Sequence, residues 1–187
     1  MLKKIDPRNL EWISEPKLSL LLEDSVVLET EPYTEIKPKG ISQQVTEMAI
    51  HPIGNFNFTT QIDFKFQDRF DQCGIIIYEN DVRKAIVCTE CFDEESNKLS
   101  TTVFHGNFGD RAYRDIASNI STMYYRIWYR GGIVGIQYSF TNEHFRDLRK
   151  FHVDDFGNNI KMGIYACSPS DSYFDCTFSN MILEDEE

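Results

Sequence analysis

Positive charge is scarce in this chain of 187 residues. Nineteen lysines and arginines stand against thirty aspartates and glutamates, a formal charge of -11 and a pI near 4.8. Such a surface repels the phosphate backbone instead of releasing counterions from it, so neither nucleic acid nor an anionic membrane is an expected partner. Long apolar runs are missing too: nothing approaches the roughly 20 residues of a membrane span. Met1–Pro7 carries two lysines without the apolar stretch of an export signal. The expected compartment is therefore cytoplasmic, and five cysteines (Cys73, Cys88, Cys91, Cys167, Cys176), an odd count, read as reduced thiols. Helical periodicity is nearly absent. Asn142–Lys150 spaces Phe145 and Leu148 three apart without a wide apolar stripe, which suits one helical turn or an irregular loop, and Asp6–Ile13 is equally short. With no Ser/Gly linker and no internal repeat, a single domain over residues 1–187 is expected, with a core over about 10–183 and a solvated, frayed acidic tail at 184–187.

Short runs of β-branched and aromatic residues fill the interior. Ten strands are expected: Ser25–Thr30, Val45–His51, Asn57–Phe66, Gln72–Tyr78, Arg83–Cys91, Lys98–His105, Tyr124–Arg130, Gly135–Phe140, Lys161–Cys167 and Phe174–Leu183. Arg130-Gly131-Gly132-Ile133 joins two of them through a pair that tolerates positive φ, so a tight hairpin is expected there. Many strands with almost no helix predict an all-β fold, an antiparallel sandwich or barrel, and disfavour a nucleotide-binding α/β sheet.

Period two splits each strand into a core row and an outer row. Tyr125, Ile127 and Tyr129 suit the core, matched across the hairpin by Ile136, Tyr138 and Phe140; Tyr124, Arg126, Trp128, Arg130, Gln137 and Ser139 then face outward. Cys73, Ile75 and Ile77 are expected inside, with Gln72, Gly74, Ile76 and Tyr78 outside. Ala85, Val87 and Thr89 are expected inside, with Lys84, Ile86, Cys88 and Glu90 outside. If these outer rows share one sheet, Gln72, Tyr78, Lys84, Glu90, Arg126, Trp128 and Gln137 assemble one surface. Trp128 and Tyr78 would offer flat apolar faces to sugar rings while the polar members bond hydroxyls. The competing structural role for Trp128 is to carry Arg126 as a cation–π pair.

Other signals are poorer. Asp71 and Glu90 are the one pair of carboxylates near that face that could serve as acid and partner in glycoside chemistry, although Asp71 equally suits a loop anchor bonding backbone amides, and Glu90 an ion pair with Lys84. Cys88-Thr89-Glu90-Cys91 resembles a zinc or redox motif, but residues three apart on a strand face opposite sides, so no metal site is expected. Gly131-Gly132 lacks the spacing of a phosphate loop, and no cofactor is expected.

Trp12-Ile13-Ser14-Glu15-Pro16, Asp71-Gln72-Cys73-Gly74-Ile75-Ile76-Ile77, Lys84, Tyr125-Arg126-Ile127, Tyr138-Ser139, Met162–Pro169 and Phe174–Phe178 fall in the order of a concanavalin-A-like group labelled "regulation of enolase protein one-like", which the chain resembles over roughly residues 10–183. The resemblance implies a lectin/glucanase-type jelly roll of two curved antiparallel sheets, whose concave outer face often binds carbohydrate in the wider superfamily. The chain departs from the group at Asp81-Val82-Arg83, where a tryptophan is common, and at Cys88, where a glutamate falls. It also lacks an Asp-aromatic-Trp segment near Glu31-Pro32-Tyr33 and the Glu-x-Asp-x-x-Glu strand motif of related glucanases. The leading expectation is a non-catalytic domain that binds a carbohydrate or carbohydrate-like small molecule through the seven residues named. The alternatives are a cytosolic protein-interaction or regulatory module, and a sugar-active enzyme using Asp71 and Glu90.

Overall fold

A computed structural model describes residues 2–38, 45–80, 83–153 and 160–186. Among these residues fifteen strands follow one another: β1 (Leu2–Lys4), β2 (Glu11–Ser14), β3 (Ser19–Leu21), β4 (Ser25–Glu29), β5 (Thr46–Ile50), β6 (Asn55–Phe64), β7 (Gln72–Asn80), β8 (Arg83–Cys91), β9 (Ser96–His105), β10 (Phe108–Ala117), β11 (Thr122–Arg130), β12 (Ile133–Ser139), β13 (Arg146–His152), β14 (Lys161–Cys167) and β15 (Asp175–Glu186). They form two antiparallel sheets. One has eight strands, in the order β13-β12-β11-β6-β15-β4-β3 with β1 also paired to β15; the other has seven, β10-β9-β8-β7-β14-β5-β2. Among the described residues the only helical turn is Pro7–Asn9, capped by the Asp6 side chain, and no helix is long and apolar enough to cross a membrane. The all-β jelly-roll sandwich expected from the sequence is what the chain adopts.

Alternating side chains build the core from both sheets. Phe56, Phe58, Ile62, Tyr125, Ile127, Ile136, Tyr138 and Phe178 come from the eight-stranded sheet, and Met48, Ile75, Ile77, Val87, Leu99 and Ile164 from the other. Each such side chain contributes about 1.5–3 kcal/mol on leaving water. Across the interior, Thr89 Oγ1 and Tyr125 OH lie 2.7 Å apart, so the threonine assigned to an apolar row bonds a phenol of the facing sheet. The β11–β12 hairpin turns through Gly131 and Gly132 at φ of 53° and 82°.

Several expectations are corrected. Phe140 lies beyond the end of β12 and is 41% exposed, edge-on to Tyr138 instead of in the core. Asn142–Lys150 gives neither helix nor loop throughout: from Arg146 it is β13, paired with β12. The acidic tail does not fray over Glu184–Glu186, because these residues pair with Asn55–Asn57 of β6, and Glu184 also pairs with Leu2 of β1. Glu187 and Asp81-Val82 lie outside the described residues. Five strands, β1, β2, β3, β10 and β13, were not expected. All but β1 end the two sheets, where few side chains are buried and apolar alternation has little to report.

Candidate functional site

The outer rows belong to two different sheets. Gln72, Tyr78, Lys84 and Glu90 project from β7 and β8 of the seven-stranded sheet, whereas Arg126, Trp128 and Gln137 project from β11 and β12 of the eight-stranded one. The sandwich core separates the two groups, so the seven residues do not form one surface. Period two assigns a face correctly in each strand but carries no information about which sheet the strand joins.

On the seven-stranded sheet the four residues form two cross-strand pairs, Tyr78 opposite Lys84 and Gln72 opposite Glu90. Six residues of strand, about 20 Å, separate the pairs. Between them lies a second apolar cluster outside the main core: Val45, Ile76, Ile86, Cys88, Phe104, Tyr165 and Cys167, with Ile36 and Tyr78 packed against it. Burial on an outer row is unusual here, because all the described strands belong to the two sheets and no third sheet lies over this face. Ile36 and Val45, from the connection between β4 and β5, supply part of the cover.

At one end of this floor sits Glu47 of β5, a residue the sequence reading did not single out. Its two carboxylate oxygens accept from Tyr78 OH at 2.8 and 2.7 Å. Glu47 can reach Tyr78 over β14 because residue 163 is glycine: a Cβ there would stand 2.6 Å from Glu47 Oε1. Burial lifts the Glu47 carboxyl from its ordinary 4.5 to about 7, against the downward pull of the Tyr78 hydrogen bond and the Lys84 charge. Burial also pushes the Tyr78 phenol upward, with the Glu47 negative charge adding to it. Lys84 is lowered by desolvation, partly offset by Glu47, and its ammonium stands 5.6 Å from the Phe104 ring centre. The end thus holds an acid that changes charge near neutrality, a phenol and a buried amine.

The opposite end is closed by polar pairs. Glu90 Oε1 accepts from Arg111 Nη2 of β10 at 2.7 Å, so its ion-pair partner is Arg111 and not Lys84. Gln72 Oε1 accepts from Tyr165 OH at 3.0 Å. Lys98 bonds Asp115 and lies 4.1 Å over Phe92 and 4.8 Å over Tyr113. Cys88 faces outward as expected, its sulfur 3.3 Å from Ser100 Oγ, and burial pushes its thiol up to about 11. Such a thiol is a packed hydrophobe, not a nucleophile.

Asp71 takes the loop-anchor role. It is fully buried, and its Oδ2 accepts from the Gln67 and Asp68 amides, both at 2.9 Å, and from Ser172 Oγ at 3.4 Å. Its backbone lies opposite Cys91, one residue out of step with the Gln72–Glu90 pair, so the Asp71 and Glu90 side chains belong to opposite faces. They do not flank a common space as the two carboxylates of a glycosidase must.

On the eight-stranded sheet, Trp128 lies over Gly135, where a Cβ would stand 2.0 Å from the indole. Arg130 and Lys150 flank its ring at 5.3 and 5.6 Å. Arg126 stacks 3.8 Å from Phe145 instead of on Trp128, and Gln137 donates to Asp147 at 2.9 Å. Asn57, Arg126, Trp128, Arg130, Gln137 and Glu184 line an open hollow of about 340 Å³.

The fold recurs in solved structures. A functionally unknown protein from Saccharomyces cerevisiae is 19% identical and superposes with a TM-score of 0.87 over 98% of this chain and 100% of that one. A xylan β-1,4-xylosidase from Bacillus halodurans C-125 is 13% identical with a TM-score of 0.71; the match takes in 98% of this chain but 39% of the xylosidase, so this chain spans about two fifths of that enzyme. The CBM2 module of the evolved Dit of Lactobacillus casei BL23 phage J-1 is 10% identical with a TM-score of 0.58, over 92% of this chain and 83% of that module. At such identities the likeness is one of fold. No curated protein matches in sequence. Residues 12–186 match the family described as "protein of unknown function (DUF1349)", and the chain belongs to that family.

Proposed function

We propose that the outer face of the seven-stranded sheet binds a carbohydrate or carbohydrate-like small molecule without transforming it. The observation that carries this reading is an apolar floor on an outer sheet face, bounded at both ends by polar groups. Glu47, Tyr78 and Lys84 stand at one end, and Gln72, Tyr165, Glu90 and Arg111 at the other. The floor itself is buried, so a ligand meets its rim, where a sugar can present a C–H face to the Tyr78 ring and hydroxyls to fixed donors and acceptors. Half-buried Gln72 and Tyr78 and the exposed Arg111 are the members of the set open to the ligand. The absence of facing carboxylates at Asp71 and Glu90 favours binding over hydrolysis.

Calorimetry against a panel of neutral oligosaccharides tests the proposal. Binding should weaken by up to about tenfold in Tyr78→Phe, the loss of one hydrogen bond between neutral groups, while Trp128→Ala on the opposite sheet leaves it unchanged. Equal loss in both variants, or no binding across the panel, refutes the assignment. The Trp128 hollow, flanked by Arg126 and Arg130, favours a second reading, a regulatory module that binds an acidic protein segment. Salt-sensitive capture of a defined acidic peptide, lost in Arg126→Ala, would support it.

A further inference from the structure

We infer that β3 is a self-complementary edge through which two copies of this chain pair about a two-fold axis at Leu20. β3 ends the eight-stranded sheet and pairs with β4 alone among the described residues. Leu20 stands opposite Val27, whose neighbours Val26 and Leu28 are in the core, so Leu20 points to the outer face of the sheet. Leu18, Leu20 and Leu22 form one row there and are 61%, 55% and 43% exposed. Natural sheets protect such edges with charge, proline or a bulge. Here Pro16 and Lys17 stand before the row and Glu23 and Asp24 after it, and the row itself is apolar.

The backbone is set up for the same pairing. Leu22 donates its N–H to Ser25 at 2.8 Å, and Leu18 C=O accepts from Glu29 at 3.1 Å. Leu18, Leu20 and Leu22 therefore turn their backbone polar groups toward β4. In an antiparallel ladder the intervening residues, Ser19 and Leu21, turn theirs to the open edge. A second copy placed antiparallel about Leu20 sets its Leu21 opposite Ser19 and its Ser19 opposite Leu21. Both are hydrogen-bonded pairs, four bonds in all. Leu20 meets Leu20 at a close non-hydrogen-bonded position, and Leu18 meets Leu22 on the same face. Lys17, whose ammonium bonds Glu31 of its own chain at 2.8 Å, falls opposite Glu23 of the second copy, so the ends bring opposite charges together as the leucines cover one another. A shift of one residue would set leucine side chains against the wrong face and lose the charge match. The contact is isologous and closes at two copies, joining two eight-stranded sheets edge to edge. Its small extent places it among transient interfaces.

Sedimentation of the full chain from about 10 µM to about 1 mM should show reversible growth from 21.8 kDa toward twice that mass. Leu20→Lys, which sets two ammonium groups face to face, should weaken association more than about tenfold at unchanged thermal unfolding. Cysteine cross-linking reads the register. Leu20→Cys should form a disulfide dimer under mild oxidation, since close antiparallel pairs lie within disulfide reach. Leu18→Cys and Leu22→Cys should each fail alone and cross-link when mixed. The parent chain, with four of its five thiols buried, is the control. A mass that stays monomeric throughout overturns the inference, as does cross-linking of Leu18→Cys alone as fast as Leu20→Cys.

Discussion

Replacing Glu47 with glutamine should remove a pH dependence of stability that the parent chain carries between about pH 4.5 and pH 7. In the unfolded chain this carboxyl titrates near 4.5; in the fold, burial lifts it to about 7. Between those values the folded state holds a proton that the unfolded state has released, so stability falls as pH rises through the window. The stabilising contribution is complete below the unfolded value and spent above the folded one. The difference between the two values, at about 1.36 kcal/mol for each tenfold change in proton concentration, amounts to about 3 kcal/mol. Glutamine still accepts the Tyr78 hydroxyl but cannot ionise, so its stability should be flat over the same range apart from groups common to both chains. Asp6, Glu31, Asp93 and Asp147, whose carboxyls are held low by hydrogen bonds and nearby cations, slope the opposite way at more acid pH and cancel in the difference. Urea unfolding of both chains at a series of pH values gives that difference directly. It should grow in favour of Glu47→Gln by about 3 kcal/mol from the acid to the alkaline side. Parallel curves would mean that Glu47 is solvated in the fold, and the physical account of this end of the face would fail.

Three further substitutions probe the frame around the site. Thr89→Val and Tyr125→Phe each strand a buried hydroxyl and should cost about 1–3 kcal/mol, while the double variant costs less than the sum; an additive denaturant cycle would refute the 2.7 Å link. Gly74→Ala drives a Cβ to 1.9 Å from the Val87 carbonyl, backbone that cannot yield, whereas Gly135→Ala meets a movable indole. The first should therefore lower the melting temperature well beyond the second, with overpacking costs of about 1–3 kcal/mol as the scale, and the reverse order would contradict the packing. Asp71→Ala should free the Gln67 and Asp68 amides and speed their hydrogen exchange without touching the Gln72–Tyr165 contact; unchanged exchange would remove the loop-anchor role.

Central strands are legible in the sequence because at least one of their rows leaves water: in β6 and β11 buried residues alternate with half-exposed ones, and in β5, β8 and β14 both rows are buried. All ten expected runs overlap observed strands, and β8 and β14 have the expected bounds. β10 shows why the margins are not. Phe108-Gly109-Asp110-Arg111-Ala112-Tyr113-Arg114-Asp115 carries charge on both faces and only Ile116 is buried, so no alternation marks it. Its place is set instead by ten residue pairs with β9, and by Arg111 and Asp115 reaching the buried Glu90 and Lys98. These are long-range interactions that a window along the chain does not contain. The tail fails for a related reason. Four acidic residues suggest repulsion and solvation, but the β6 backbone offers Glu184–Glu186 a ladder to complete, and hydrogen bonding of the main chain is indifferent to the charges beside it.

Site residues divide along the same line. Glu47 did leave a signal, a lone charge inside the apolar run Val45–Ile50, because a carboxylate in a central strand needs a partner to be tolerated. That partner, Tyr78, lies two strands away across β14, and the bridge exists because Gly163 has no side chain. Three positions far apart in sequence thus cooperate, and each taken alone has an ordinary explanation. The grouping of Arg126 with Gln72 failed for a different reason, which is general to sandwiches. Two stacked sheets have two outer faces, and alternation along a strand separates inward from outward without saying which outward face is meant. The β6-to-β7 connection carries the chain from one sheet to the other, and β10 to β11 carries it back, so β7 and β11 share a core while their polar rows look away from each other. A binding surface in such a fold is decided by the crossovers, and those are set by the packing of the whole chain.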